Sequence, residues 1–287
     1  MGFIKKWYTY QKERFPVATY GMYIFSIVFG TFCFAIDKTY NPNWIMLLPM
    51  FAVAFLQFLM VRIVDEFKDY EEDAKYRPYR PVPRGLVTLK ELGILGGICA
   101  AVQVGITAIL NLKGLIFLGL VWLFFGVMSK SFFIKKLVDK HILLEVTLDE
   151  LLMPVLVLYL STFVTSISVK LIPFLILSYL GSWIVEIARK VRCKEDEEEG
   201  VKTYTAVFGI PVATMIVVIL EALIMIMQSI ILGTKFIIPV IALYVLINIP
   251  NILFIIKQNK KLAKIVVLLA NIYLIIAYIS MVCLVIG

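Results

Sequence analysis

The sequence predicts an all-α, polytopic membrane protein, and three observations support that fold class. Of the 287 residues, 61% are hydrophobic and only 17% are charged, and the mean hydropathy is +0.94. Apolar runs long enough to cross a bilayer recur along the chain. Lys and Arg are concentrated in every second segment between these runs. The composition excludes a soluble domain, and a single membrane domain is expected over residues 1–287.

Nine apolar runs are predicted to be membrane-spanning helices, of which the fourth and fifth are the shortest. Residues 1–15, before the first run, are charged and aromatic, which is typical of a helix lying at the membrane interface. The nine runs lie at 17–36, 43–63, 92–111, 114–128, 151–166, 171–188, 207–232, 236–256 and 265–286.

The distribution of positive charge predicts the orientation. If the N-terminus lies inside, the inside segments hold 24 of the 28 Lys and Arg residues, and only Lys38, Lys113, Lys170 and Lys235 lie outside. This asymmetry predicts a cytoplasmic N-terminus and an outside C-terminus in an integral membrane protein, in the cell membrane if the source is prokaryotic. Orientation and anionic headgroups account for the net charge of +8, so no nucleic-acid partner is expected.

The most informative segment is residues 65–73, which carry six carboxylates in nine positions at the inner end of the second run. Asp65, Asp69 and Asp73 share one face if the helix continues. Two carboxylates about 5 Å apart repel by roughly 3 kcal/mol at an effective dielectric of about 20, so a cation is expected there. Magnesium binds through such carboxylates together with substrate phosphates. The candidate ligands are Asp65, Glu66, Asp69 and Asp73.

Basic residues follow in Tyr-Arg-Pro-Tyr-Arg-Pro-Val-Pro-Arg-Gly, where the prolines keep residues 77–84 out of a helix. The guanidinium groups of Arg77, Arg80 and Arg84 can bind phosphate oxygens in pairs. A solvated charged loop that obeys the positive-inside rule is the alternative interpretation.

A second acidic segment follows the sixth run on the same side of the membrane, so the two segments can converge. Glu186, Arg189 and Lys190 share a helical face at i, i+3 and i+4. Glu186 and Asp196 are candidate ligands for a second metal ion. The remaining run, Glu197–Glu199, is more typical of a solvated face.

The fifth helix is expected to open with acidic residues, just before the run 151–166. His141, Glu145 and Asp149 share a face, and Asp149 is a candidate acid/base or cation-stabilising group, with a helix start at the interface as the alternative. Glu221, in the middle of the seventh run, has no partner that the sequence identifies.

The segment 65–73 with its Arg-Pro-Val-Pro-Arg-Gly tail resembles the first aspartate motif of the UbiA superfamily of intramembrane prenyltransferases, Asn/Asp-Asp-x-x-Asp-x-x-x-Asp followed by Arg-Pro-Leu-Pro-x-Gly. Residues 203–209 and the basic loop 129–136 also resemble that family. The resemblance implies a nine-helix bundle with a central lipid-accessible cavity. It also implies that basic side chains bind a diphosphate, for which the candidates are Arg77, Arg80, Lys130, Lys135, Arg189 and Lys190.

The second motif departs from the family pattern, usually Asp-x-x-x-Asp with its second Asp four residues before a Gly. Asp196 fits that place before Gly200, but the first Asp would fall at Arg192. If the motif is aligned from the end of the sixth run instead, Glu186 takes the place of a polar ligand and Lys190 takes the place of an aspartate. Ligation of a second metal and the identity of the acceptor therefore stay open.

The resemblance implies Mg²⁺-dependent transfer of a polyprenyl group from an isoprenyl diphosphate to a lipid-soluble acceptor, with an aromatic acceptor favoured. Two Mg²⁺ ions are expected, with Mn²⁺ as an alternative, and the expected catalytic set is Asp65, Asp69, Asp73, Asp149 and Asp196. One alternative is a UbiA-type terpene cyclase that uses no acceptor. A more remote one is a divalent-cation transporter, which would place paired carboxylates at mid-membrane rather than at helix ends beside arginines.

Overall fold

The computed structural model describes residues 2–36, 42–138, 140–198 and 201–286, and these form α-helices, short 3₁₀ turns and loops, without a strand. Lys38, Glu199 and Gly200 lie outside the described residues. The helices are α1 (Phe3–Arg14), α2 (Val17–Ala35), α3 (Leu47–Lys68), α4 (Tyr70–Tyr76), α5 (Leu89–Leu110), α6 (Gly114–Ser129), α7 (Lys135–Val138), α8 (Ile142–Asp149), α9 (Leu152–Ser161), α10 (Ile172–Arg189), α11 (Tyr204–Leu232), α12 (Ile237–Lys257), α13 (Lys260–Ile279) and α14 (Cys283–Ile286).

The long helices pack in chain order as a closed ring, in which α2, α3, α5, α6, α9, α10, α11, α12 and α13 each contact the next and α13 returns to α2. Helices α2 and α10 both pack closely against Tyr278 of α13. A Cβ added at Gly30 would lie 2.8 Å from the Tyr278 carbonyl oxygen, and one at Gly181 would lie 2.6 Å from the Tyr278 hydroxyl. Glycine at these two positions therefore allows α2 and α10 to approach α13.

Seven described helical segments are long and apolar enough to span a membrane, so the predicted count of nine spans is not confirmed. The fourth run forms α6, which has only 16 residues. The fifth predicted helix, which opens at Glu145 and contains the run 151–166, is divided into α8 and the 10-residue α9. Pro154 explains the division, because proline cannot donate to the carbonyl of Glu150 and its ring clashes with that carbonyl. The chain is an integral, multi-pass membrane protein.

Two helix bounds matter for the site. The second run was predicted to end at residue 63, but α3 continues to Lys68 and therefore carries Asp65 and Glu66 in its last turns. Helix α11 begins at Tyr204, before the predicted start, and is interrupted at Gly209, where φ is +79°. Both differences lengthen helices into the charged segments that hydropathy alone assigns to loops.

The N-terminal helix α1 packs beside the end of α3. Its Tyr10 is buried in a small apolar cluster, while Phe3, Ile4 and Tyr8 are exposed. This pattern is that of an interfacial helix, with one face on the protein and another available to lipid. Its partners in the cluster are Ile63, Val82, Val87 and Leu92.

Candidate active site

The first acidic segment is built on a continuous ladder of backbone hydrogen bonds. Asp69 N–H donates to the Asp65 carbonyl (2.9 Å), Asp73 to Asp69 (2.8 Å) and Arg77 to Asp73 (2.8 Å). The helix is interrupted at Asp69, which separates α3 from α4. Because each bond joins residues four apart, Asp65, Asp69 and Asp73 follow one another along one side of the chain. Asp65 and Asp69 are half-buried, whereas Asp73 is 1% exposed.

Asp73 is held by guanidinium groups. Arg77 donates to Asp73 Oδ1 at 2.7 Å, and Arg80 donates to Oδ2 at 2.6 Å. Arg14 of α1 lies 3.7 Å from the same carboxylate. Removing one partner of a buried charged pair leaves the other charge uncompensated, so this cluster is strongly coupled. The predicted metal ligand Asp73 is therefore also the anchor of two predicted diphosphate-binding arginines.

Glu66 is also buried and paired with arginines. Arg14 Nε donates to Glu66 Oε1 at 2.5 Å, and Arg62 Nη2 donates to the same oxygen at 3.1 Å. Glu66 is 2% exposed. Glu66 and Asp73 thus tie α1 to the acidic segment through Arg14. A second, more exposed ion pair joins Glu13 of α1 to Arg84, 2.9 Å apart.

Sequence reasoning missed Arg14 and Arg62. Both residues were counted only as positive charge on the inner side. The available signal was position, because Arg14 directly precedes Phe-Pro at the start of the first apolar run. Position does not reveal that Arg14 contacts a residue 52 positions away.

Asp65 and Asp69 take part in fewer ion pairs than Glu66 and Asp73. Asp65 is 39% exposed at its side chain and lies 3.6 Å from Arg62. Among the described residues, Asp69 forms no ion pair. Burial, followed by the charge of Asp73, raises the pKa of Asp69 above its ordinary value. A carboxylate whose charged form is disfavoured in this way gains most from a cation.

The C-terminal end of α10 lies at the same end of the bundle. Glu186 forms ion pairs with Arg189 and with Lys190, the latter at 2.6 Å. Asp65 is close enough to Glu186 and Arg189 to interact with both electrostatically. We call the region formed by the ends of α3 and α10 and the segments that follow them the acidic end. The structure brings Asp65, Glu186 and Arg189 together there.

Asp196 forms its ion pair with α13 and not with the first acidic segment. Its carboxylate pairs with Lys260, at the start of α13, and lies 3.5 Å from the Cys193 sulfur. The hydrogen bond from Lys260 holds the pKa of Asp196 below its ordinary value. A cavity of about 380 Å³ beside this pair is lined by Arg189, Val191, Arg192, Asp196, Glu198, Lys260, Ala263, Lys264 and Val267.

The prediction that Glu197 lies on a solvated face is wrong. Glu197 accepts hydrogen bonds from the hydroxyls of Thr203 (2.7 Å) and Thr205 (2.6 Å). Thr205 in turn accepts from the backbone N–H of Arg192 at 3.1 Å. Glu197 therefore fixes the second loop to the start of α11, while Glu198 pairs with Arg192 near the surface.

Of the remaining predicted residues within the described ranges, only Asp149 is related to the acidic end by a recorded interaction. Asp149, at the end of α8, interacts electrostatically with Lys68, Glu186 and Asp65. His141, predicted on the same face as Asp149, precedes α8 and is exposed. Lys130 and Lys135 are exposed on the segment between α6 and α8.

The donor set fits a hard divalent cation in part. Among the described residues, no group of three His, Cys, Asp or Glu side chains is arranged to hold a metal ion. Two of the carboxylates, Asp65 and Asp69, are nevertheless accessible and incompletely compensated. A magnesium ion that takes one or two carboxylates, water and substrate phosphates suits such a set.

The described helices pack as a membrane bundle in which carboxylates and guanidinium groups are clustered at one end. The chain belongs to the UbiA prenyltransferase family, whose model matches residues 23–275. It is therefore a prenyltransferase-type membrane enzyme. No curated protein matches the sequence.

Solved structures support the fold. A UbiA homologue from Aeropyrum pernix K1 in its apo form has a TM-score of 0.65 at 14% identity, with 90% of this chain and 97% of that chain covered. A UbiA homologue from Archaeoglobus fulgidus bound to GPP and Mg²⁺ has a TM-score of 0.59 at 13% identity, with 95% and 99% covered. A structure of digeranylgeranylglyceryl phosphate synthase has a TM-score of 0.58 at 20% identity, with 96% and 99% covered.

Proposed function

We propose that this protein transfers a polyprenyl group from an isoprenyl diphosphate to a lipid-soluble acceptor within the membrane, with an aromatic acceptor as the first class to test. The observation that carries the proposal is the acidic end, where Asp65 of α3 lies within electrostatic range of Glu186 and Arg189 of α10. The similarity to the homologue from Archaeoglobus fulgidus bound to GPP and Mg²⁺ supports the choice of donor and metal.

We propose a narrower metal set than the sequence predicts. Asp65 and Asp69 would hold Mg²⁺, because these carboxylates lie at the acidic end and are incompletely compensated by positive charge. Glu186 is 15% exposed and paired with Arg189 and Lys190, so it would contribute from α10 by exchanging one of those pairs for the metal ion. Mn²⁺ and a second ion remain part of the proposal. When bound, the metal ion would neutralise negative charge on the departing diphosphate. Glu66, Asp73 and Asp196 would instead act through their ion pairs with Arg14, Arg77, Arg80 and Lys260.

Basic side chains would bind the diphosphate oxygens. Asp73 holds Arg77 and Arg80 in fixed positions, which lowers the entropy that they lose on binding. Arg189 and Lys190 would approach from α10, and the exposed Lys130 and Lys135 from the segment after α6. Preorganised positive charge of this kind stabilises charge that develops in the transition state.

The proposed reaction breaks the bond between C1 of the prenyl chain and the diphosphate oxygen, and the electron pair leaves with the diphosphate. The allylic cation at C1 then bonds to the acceptor, which loses a proton. Asp149 would accept that proton, because it lies within electrostatic range of Asp65 and Glu186.

We further propose that the acidic end and the N-terminus face the cytoplasm, with the C-terminus outside. The asymmetry of Lys and Arg supports this orientation. An isoprenyl diphosphate made in the cytoplasm would then reach the site directly.

The test uses purified protein in liposomes with Mg²⁺ and labelled geranylgeranyl diphosphate, with and without a lipid-soluble phenol, and mass spectrometry of the products. A prenylated phenol that forms with wild type and Glu71→Ala but not with Asp69→Ala supports the proposal. Glu71 is a matched control because it is exposed on the same segment. A cyclic hydrocarbon formed without acceptor would establish the terpene cyclase instead. Divalent-cation flux that persists in Asp69→Ala would contradict both.

A further inference from the structure

Helix α1 has an outward face, formed by Ile4, Lys5, Tyr8 and Lys12, that the rest of the described protein leaves uncovered. Ile4 is 83% exposed and Tyr8 is 61% exposed, and both lysines are exposed beside them. Positions 4, 8 and 12 follow one another along one side of a helix. Neither lysine forms an ion pair with a described carboxylate. The outward face therefore combines apolar side chains with two uncompensated positive charges.

The connection from α1 to α2 places the outward face at the membrane surface. Helix α2 is a membrane-spanning segment that begins at Val17, and only Phe15 and Pro16 separate it from α1. Two residues span at most about 7 Å, so α1 stays close to the end of α2. On the other side of α1, Tyr10 packs in one apolar cluster with Ile63 of the membrane-spanning α3. Apolar groups at this depth enter the lipid boundary, and lysine side chains reach the headgroup phosphates.

The inner face of α1 is incompletely satisfied by the protein. Trp7 Nε1, Tyr10 Oη and Arg14 Nη2 are buried and have no hydrogen-bond partner among the described residues. No other described helix packs extensively along α1, which is held mainly by ion pairs from its side chains. A buried donor without an acceptor disfavours the arrangement that buries it. A partner on the outward face would therefore strengthen the docking of α1 on the bundle.

Arg14 links the docking of α1 to the first acidic segment. Its Nε donates to Glu66 Oε1 at 2.5 Å, and its Nη2 lies 3.7 Å from Asp73 Oδ2. These contacts form only while α1 lies on the bundle. A 12-residue helix is marginal in isolation, so docking also preserves the alignment of the outward face. A ligand of that face therefore favours the docked state, in which Arg14 contacts both carboxylates.

We propose that the outward face of α1 binds the headgroups of anionic phospholipids and that this binding holds Arg14 against Glu66 and Asp73. Anionic lipids are favoured because a zwitterionic headgroup carries an ammonium group of its own, which offsets the phosphate charge that Lys5 and Lys12 attract. The apolar side chains of the outward face add the contact that keeps the helix at this depth. This inference does not depend on the proposed transfer reaction.

Hydrogen-exchange mass spectrometry of the full chain in nanodiscs tests the proposal. The discs contain either phosphatidylcholine alone or equal parts of phosphatidylcholine and phosphatidylglycerol. Backbone exchange over residues 3–14 is expected to be about 5–25-fold slower with phosphatidylglycerol, since each lysine near an anionic surface contributes about fivefold. Exchange over residues 69–77, which form the backbone ladder beside Arg14, is expected to slow in the same discs.

Paired variants assign the effect to the two lysines. Lys5→Gln/Lys12→Gln is expected to exchange at the same rate in both kinds of disc, whereas Lys5→Arg/Lys12→Arg is expected to keep the wild-type difference. Lys257→Gln/Lys261→Gln is the matched control, because both lysines are exposed where α12 meets α13 and the variant loses the same charge. This control is expected to keep the wild-type difference over residues 3–14.

Three results would overturn the proposal. The first is equal exchange over residues 3–14 in the two kinds of disc for wild type. The second is a lipid difference of wild-type size in Lys5→Gln/Lys12→Gln, or the loss of that difference in Lys257→Gln/Lys261→Gln. The third is slower exchange over residues 3–14 without any slowing over residues 69–77, which would show that α1 binds lipid without holding Arg14 in place.

Discussion

Replacing Asp73 with Asn tests whether this carboxylate anchors arginines. Asp73 is 1% exposed and lies 2.7 Å from Arg77, 2.6 Å from Arg80 and 3.7 Å from Arg14. Asparagine keeps the shape of the side chain, so the change removes charge without opening a cavity. Breaking a buried ion pair from one side costs about 3–5 kcal/mol. At about 2–4 °C per kcal/mol for larger domains, Tm should fall by about 6–20 °C.

The assay is thermal unfolding in detergent with EDTA, so that no divalent metal contributes. Glu72→Gln is the control, because Glu72 is 53% exposed and pairs with Arg77 at 3.3 Å. An exposed pair of this kind contributes about 0–1 kcal/mol, so its Tm should change by less than about 4 °C. If Asp73 served mainly as a metal ligand, its removal without metal would relieve repulsion from Asp69 and leave Tm unchanged or higher. That result would refute the anchoring role.

Two further predictions concern the second loop and the helix packing. Glu186→Gln should lower kcat/KM for prenyl transfer by about 10²–10³-fold, because Glu186 lies at the acidic end. Asp196→Asn should lower kcat/KM by less than about tenfold, and a larger loss would contradict the proposed metal set. Gly181→Ala should destabilise the protein by about 1–3 kcal/mol, because its Cβ would meet the Tyr278 hydroxyl at 2.6 Å. Gly105→Ala, with no atom within 4 Å of the new Cβ, should leave Tm unchanged or higher, and equal Tm values for the two variants would argue against the close packing.

Regular spacing allowed the first acidic segment to be predicted. The i, i+4, i+8 positions of Asp65, Asp69 and Asp73 place them in register because helix geometry is local, and the backbone ladder through residues 65–77 matches that expectation. Hydropathy located the helical runs because it, too, depends only on residues that are close in sequence. It did not predict the division of the fifth helix into α8 and α9, although Pro154 was a visible signal for it.

Contacts between distant residues could not be predicted from the sequence. Arg14 bonds Glu66, 52 positions away, and Lys260 bonds Asp196, 64 positions away. Neither pair follows a helical period, and Asp196 lies in a loop where spacing does not fix the direction of a side chain. Glu221 had no partner that the sequence could identify, and the structure supplies Asn251 from the next helix.

The central claim is that carboxylates at the end of α3 enable diphosphate departure and prenyl transfer. The most direct measurement is the Mg²⁺-dependent rate at which label from geranylgeranyl diphosphate enters a phenolic acceptor, compared between wild type, Asp69→Ala and Glu71→Ala in liposomes. The predicted result is a loss of about 10²-fold or more in Asp69→Ala with Glu71→Ala near wild type. Equal rates in wild type and Asp69→Ala would contradict the claim.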